Sequence, residues 1–116
     1  MQMRLSAILG FLAVALGAFG AHGFQARLAA LETTQIWQTA SLYHLVHAVV
    51  LLVLARDDAA RKLSWWAFFI GILVFSGSLY VLALTGQRWL GAVTPLGGIG
   101  FLIGWGALIF TKTERS

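Results

Sequence analysis

Four long apolar stretches, at residues 5–21, 37–55, 63–84 and 89–110, fill the chain, and nearly every charged residue falls in the gaps between them. Each stretch is close to the ~20 residues that a helix needs to cross ~30 Å of hydrocarbon. Backbone N–H and C=O groups in a bilayer must be satisfied inside the segment or by a closed barrel, so runs of this length predict four helices. The connections at 56–62 and 85–88 are short, which forces sequential helices into antiparallel hairpins. The expected fold is therefore all-α, a membrane-embedded up-down-up-down four-helix bundle, with residues 1–116 forming a single four-span transmembrane domain. Only the first connection is long. Residues 22–36 carry Gln25, Arg27, Glu32, Thr33, Thr34 and Gln35 among Leu28, Leu31 and Ile36, a mixture suited to an interfacial helix or to an early start of the second span.

Composition agrees, with 59% hydrophobic and 10% charged residues and a mean hydropathy of +0.85, far from soluble domains. Arg4 ahead of an apolar run, with Ala18, Gly20 and Ala21 near its end, imitates a signal peptide. The run exceeds the ~7 to 15 residues of a signal core, which favours a retained span. The chain has no cysteine, which removes disulfides, thiolate metal sites and thiol catalysis. The net charge of +4 is a topology signal by its placement. Arg4, Arg56, Arg61, Lys62, Lys112 and Arg115 fall on one side, against Arg27 and Arg88 on the other. Basic residues are retained in the cytoplasm during insertion, so both termini are expected there, in a multi-pass plasma membrane protein of the bacterial inner membrane type. No nucleic-acid partner is implied. Trp37, Trp65, Trp66 and Trp89 stand at helix ends, where indoles prefer the interface, whereas Trp105 lies inside the fourth span.

The thirteen glycines lie mostly within the spans. Small residues let helix backbones approach closely in lipid. Ala13, Gly17 and Ala21 share a face of the first helix, and Gly100 and Gly104 form a GxxxG pair on the fourth. These faces serve either to hold the bundle together or as a homo-oligomer seam. Pro95 falls in the first turn of its helix, where a missing N–H costs little.

Polar side chains are unevenly distributed by depth. His22 ends the first helix, Tyr43, His44 and His47 occupy the second, Ser76, Ser78 and Tyr80 the third, and Arg88 and Thr94 lead into the fourth. In the expected topology all lie toward the outer face, and the cytoplasmic halves are almost wholly apolar. His44 would lie ~10 Å and His47 ~15 Å below Trp37. Spacings of three and four put Tyr43, His44 and His47 on one side of the helix. Polar groups at such depth face protein or a water-filled cavity, so an outward-facing pocket or an interhelical network is expected. As a pocket, it would bind a small ligand through His22, Tyr43, His44, His47, Ser76, Ser78, Tyr80, Arg88 and Thr94. As a network, the same groups would join the helices. Haem or metal binding through His22, His44 and His47 is a further alternative, though only Glu32 offers a nearby carboxylate; no cofactor and no metal are assigned. Proton-coupled transport normally uses an intramembrane carboxylate, and Glu32, Asp57, Asp58 and Glu114 are all in the gaps or at the terminus. A small-solute channel remains a separate alternative, as does an accessory or scaffold subunit of a membrane complex. Histidines with neither a paired nucleophile nor a deep carboxylate do not make an enzyme site, so no enzymatic activity is expected.

Four strings, GAFGAHG at 17–23, YHLVHA at 43–48, FSGSLYVLALTG at 75–86 and WLGAVTPLGGIGFLIGW at 89–105, together resemble the small four-helix membrane proteins of the YgdD/YwdK type. That group is domain of unknown function 423, related to eukaryotic transmembrane protein 256. The resemblance covers essentially the whole chain. It implies a four-helix inner-membrane protein without an established biochemical role, and it singles out His22, Tyr43, His47, Ser76, Gly77, Ser78, Tyr80, Thr94, Pro95, Gly97 and Gly98. The chain departs from the pattern at His44 and Val46, where relatives carry glutamine and tyrosine.

Overall fold

A computed structural model describes residues 1–56 and 61–110. The expectations placed on Asp57, Asp58, Lys112, Glu114 and Arg115 lie outside the described residues. Helix α1 (Gln2–Ala21) is followed by a short helix α2 (Gln25–Leu31) and by α3 (Thr34–Ala55). The third span is α4 (Lys62–Gly71), a π-helical turn (Ile72–Ser76) and α5 (Gly77–Thr85) in one continuous rod. A 3-10 turn (Arg88–Ala92) then leads into α6 (Thr94–Phe110). Four helical segments are long and apolar enough to cross a membrane, and no strand occurs among the described residues. The fold is an antiparallel four-helix bundle, 52 × 26 × 21 Å.

The long first connection is largely helical. The interfacial pattern forms α2, and the second span begins early, at Thr34. Between them Glu32 adopts left-handed backbone, φ 58°, a conformation uncommon outside glycine. This tight corner is fixed by the end of the third span. Thr33 Oγ1 donates to the Ala83 carbonyl at 2.7 Å, and Arg27 Nε donates to that of Leu84 at 2.6 Å. Gly86, at φ +74°, ends α5 with its N–H on the Leu82 carbonyl at 2.7 Å. The last carbonyls of a helix have no partner within it. Here three consecutive ones are taken up by α2, by the corner and by the glycine cap.

The outer surface is apolar. Phe11, Leu102 and Ile109 are each more than 70% exposed, the inverse of a soluble bundle and suited to lipid. Between the helices, Leu9, Ala48, Leu51, Trp65, Phe68, Ile72 and Phe101 form the main buried cluster. Since lipid is as apolar as leucine, association depends on close packing and interhelical hydrogen bonds. Among the glycines, the closest approach to another helix's backbone lies where α6 crosses the π turn. A Cβ on Gly97 would stand 2.7 Å from Phe75 Cα, so only glycine fits. One turn on, Gly100 faces the Ala67 carbonyl and Gly71, and Gly104 faces the Phe68 ring. The GxxxG pair is therefore used within the bundle. Of the two small-residue faces, only that of α1 retains open space, at Gly17.

Two of the interfacial tryptophans require correction. Trp37 is 2% exposed and Trp65 is fully buried. Trp37 Nε1 donates to the Leu16 carbonyl at 2.9 Å, and Trp65 Nε1 donates to Ser6 Oγ at 3.0 Å. Both indoles turn inward because α1 offers each an acceptor. Trp66 and Trp89 remain exposed.

Candidate functional site

The two deep histidines of α3 diverge. His47 is 5% exposed, and its ring stacks on Phe101 of α6 with centroids 3.9 Å apart. Trp105 Nε1 donates to His47 Nε2 at 3.1 Å, and His47 Nδ1 lies 2.8 Å from the Tyr43 carbonyl. Indole is a donor only. Nε2 is therefore the acceptor and Nδ1 carries the proton, a neutral imidazole with both nitrogens engaged. No lone pair is left for a metal. Tyr43 stays 42% exposed at the rim, its ring packed on Phe75 and Phe101.

His44 faces α1 and the third span. It is 3% exposed, with Nδ1 2.9 Å from the Tyr80 hydroxyl. Its other nitrogen, Nε2, lies beside the Leu9 backbone of α1, yet no group meets it in hydrogen-bond geometry. Leaving a buried polar atom unpaired costs roughly 1 to 3 kcal/mol, so such an atom calls for an explanation.

His44 also borders a cleft of about 150 Å³ between α1 and the third span. Leu9, Leu12 and Leu16 form one wall, and Ile72, Leu73 and Gly77 the other. His44, Ser76 and Tyr80 supply its polar atoms. The two buried indoles pin α1 at Ser6 and Leu16, ten residues and ~15 Å apart. The cleft opens between these pins, where α1 leans on α3. The π turn sets its far wall. Inserting a residue rotates the remainder of the helix, and this rotation directs Ser76 Oγ to the Ala40 carbonyl at 2.9 Å. The Ser76 hydroxyl proton is thereby occupied.

The remaining candidates lie elsewhere. Ser78 Oγ donates to the Phe75 carbonyl at 2.9 Å and pairs with Thr94 Oγ1 at 2.7 Å, joining α5 to the head of α6. His22 is exposed at the end of α1, and Arg88 is exposed beyond α5. The single outward-facing pocket expected from depth is thus divided. His44, Ser76 and Tyr80 meet at the cleft, His47 and Tyr43 face α6, Ser78 and Thr94 form a separate clasp, and His22 and Arg88 join none of these. Among the described residues, no three histidine or acidic side chains converge as a metal site.

Sequence reasoning missed the opposite half of the bundle. The Trp65–Ser6 bond continues from Ser6 Oγ to the Gln2 carbonyl at 2.7 Å, and Ser64 Oγ donates to the Gly104 carbonyl at 3.0 Å. Ser6 and Ser64 are each 1% exposed. The signal was present: a lone hydroxyl inside an apolar run needs a partner there as much as Ser76 does.

Comparison with known proteins agrees with this architecture. The family model described as "Protein of unknown function (DUF423)" matches residues 16–98, a range that includes His44, His47 and Tyr80. The chain is 47% identical over 109 residues to the UPF0382 membrane protein YwdK of Bacillus subtilis, covering 87% of this chain and 86% of the relative. A UPF0382 membrane protein of Staphylococcus epidermidis is 45% identical over 114 residues, covering 95% and 93%. The UPF0382 inner membrane protein YgdD of Escherichia coli is 42% identical over 114 residues, covering 93% and 86%. No solved structure matches the chain.

Proposed function

The chain belongs to the DUF423 family of small membrane proteins, and on that premise we propose that it is a non-enzymatic, multi-pass plasma-membrane protein that binds a small molecule in the cleft between α1 and the third span. The observation that carries this reading is the lipid-side cleft bordered by His44, a residue whose buried Nε2 lacks a hydrogen-bond partner. Every other deep imidazole nitrogen has a partner. The site residues are His44 and Tyr80, with Ser76 positioned at the wall. His47, Tyr43, Ser78 and Thr94 act as fastenings between helices. His22 and Arg88 have no part in the cleft.

Absence of catalysis is supported by the cleft's own chemistry. No carboxylate lines it, and the Ser76 hydroxyl is committed to a backbone carbonyl, so it contains no activated nucleophile. Haem or metal ligation loses its second imidazole, because both nitrogens of His47 are engaged. The solute-channel reading needs an axial path, and the bundle interior there is filled by Phe68, Phe101 and Leu51. Cytoplasmic termini follow from the excess of arginine and lysine at the Arg4 and Arg56–Lys62 end. The bilayer is the protein's first partner. A seam between copies could use the open Gly17 face of α1.

Native mass spectrometry of gently extracted protein tests the binding site. The expected result is an added mass on the wild-type chain that persists in His22→Leu and is lost in Leu12→Trp, whose indole fills the cleft. A bare chain mass in the wild type, or an added mass indifferent to Leu12→Trp, contradicts the proposal.

A further inference from the structure

We infer that the basic end of the bundle holds the headgroup of an anionic phospholipid, in a second cavity that lies apart from the cleft between α1 and the third span.

This cavity, of about 440 Å³, is bounded by Met1, Gln2 and Met3 at the start of α1, by Ala55 at the end of α3, and by Lys62 and Trp66 at the start of α4. Two of the apolar spans begin at its walls, at Gln2 and Lys62, and a third ends there, at Ala55. The ends of the spans mark the level where hydrocarbon gives way to headgroups. The volume falls within the ~300 to 1,000 Å³ of small-molecule sites.

The lining offers hydrogen-bond donors to that level. Lys62 and Trp66 stand four residues apart, on one face of α4, and an ammonium and an indole N–H can only donate. The Trp66 ring is held by Trp65 and Phe69, with centroids 4.8 and 5.6 Å away. Among the described residues, no acceptor bonds the Lys62 ammonium or the Trp66 N–H, and no carboxylate lines the cavity. The segments that meet here carry Arg4, Arg56, Arg61 and Lys62 against Asp57 and Asp58 in the sequence. Such an excess of basic residues beside a span attracts anionic lipid.

A lipid suits the rest of the surroundings better than a free anion does. Met3, Leu63 and Trp66 are 42%, 64% and 38% exposed beside the donors. A phosphate seated on Lys62 leaves its acyl chains along this apolar surface. A choline headgroup would bring a second cation to Lys62, whereas a glycerol headgroup brings none, so the site favours the lipid of net negative charge.

The experiment offers the full chain, extracted in mild detergent, phosphatidylglycerol or phosphatidylcholine with identical acyl chains, and counts bound lipid by native mass spectrometry. The wild type is expected to retain phosphatidylglycerol about fivefold better. Lys62→Gln brings the two lipids level, and Lys62→Arg keeps the preference. Arg88→Gln removes the same charge from the opposite end and leaves the preference intact. Lys62 and Arg88 are exposed, so these variants keep the packing of the bundle. Soluble glycerol phosphate is expected to leave no adduct. Equal retention of the two lipids by the wild type, or a preference unchanged in Lys62→Gln, overturns the site. An equal loss in Lys62→Gln and Arg88→Gln also overturns it, since the preference would then follow net charge alone. An adduct with glycerol phosphate overturns the lipid as its source.

Discussion

His44 and His47 stand three residues apart on one helix, both buried, and their surroundings divide them. His47 is enclosed by α6, stacked on Phe101 and bonded at both nitrogens. His44 is bonded at one nitrogen, lacks a partner at the other and borders a cleft. Depth in the membrane says only that each imidazole needs partners. The helix packed opposite decides whether the outer nitrogen is met, and α6 supplies Trp105 to His47 where α1 gives His44 Nε2 no partner in hydrogen-bond geometry. The glycine-rich face of α6 seats it tightly on the third span at Gly97, Gly100 and Gly104. Helix α1 is held to the third span by side-chain reach, through Ser6 and Leu9.

Four substitutions break or sharpen this contrast. Gly97→Ala places a methyl against the Phe75 backbone and pushes α6 outward, carrying Phe101 and Trp105 away from His47. A loss of about 3 kcal/mol is expected, read as a lower unfolding midpoint in denaturing detergent. His47→Leu leaves the Trp105 N–H without its acceptor. The expected loss is about 2 kcal/mol in the same assay. Trp105→Phe keeps the ring but removes the donor, and is expected to cost about 1 kcal/mol. His44→Phe removes an orphaned nitrogen along with one bond to Tyr80, so its stability is expected to stay within about 0.5 kcal/mol of wild type. If His44→Phe proved as damaging as His47→Leu, the two histidines would be equivalent fastenings and the contrast would disappear.

The four spans were readable from the alternation of apolar stretches and charged gaps, because the bilayer imposes a length that the sequence must meet. Direction within the bundle was harder to read. A helix that is apolar all round has no polar face to mark its inner side, so the spacing of Tyr43, His44 and His47 put them on one side without revealing that His44 and His47 meet different neighbours. The π turn at Ile72–Ser76 added to this. One extra residue rotates the helix beyond it by about 100°, so the spacing of Ser76 and Ser78 to residues earlier in the span does not reveal their partners, the Ala40 carbonyl and Thr94. Trp37 and Trp65 were misplaced for a related reason. Proximity to a helix end suggested the interface, but acceptors on α1, the Leu16 carbonyl and Ser6 Oγ, drew both indoles inward.

The proposed ligand meets the cleft bordered by His44 and not the surroundings of His47. Nitrogen-15 magnetic resonance of imidazole-labelled protein in bilayers, with and without 4-decylphenol, tests it most directly. The expected result is His44 ring resonances that move on addition of the phenol, beside a His47 that stays a neutral Nδ1–H imidazole throughout. A shift at His47, or none at either histidine, would contradict it.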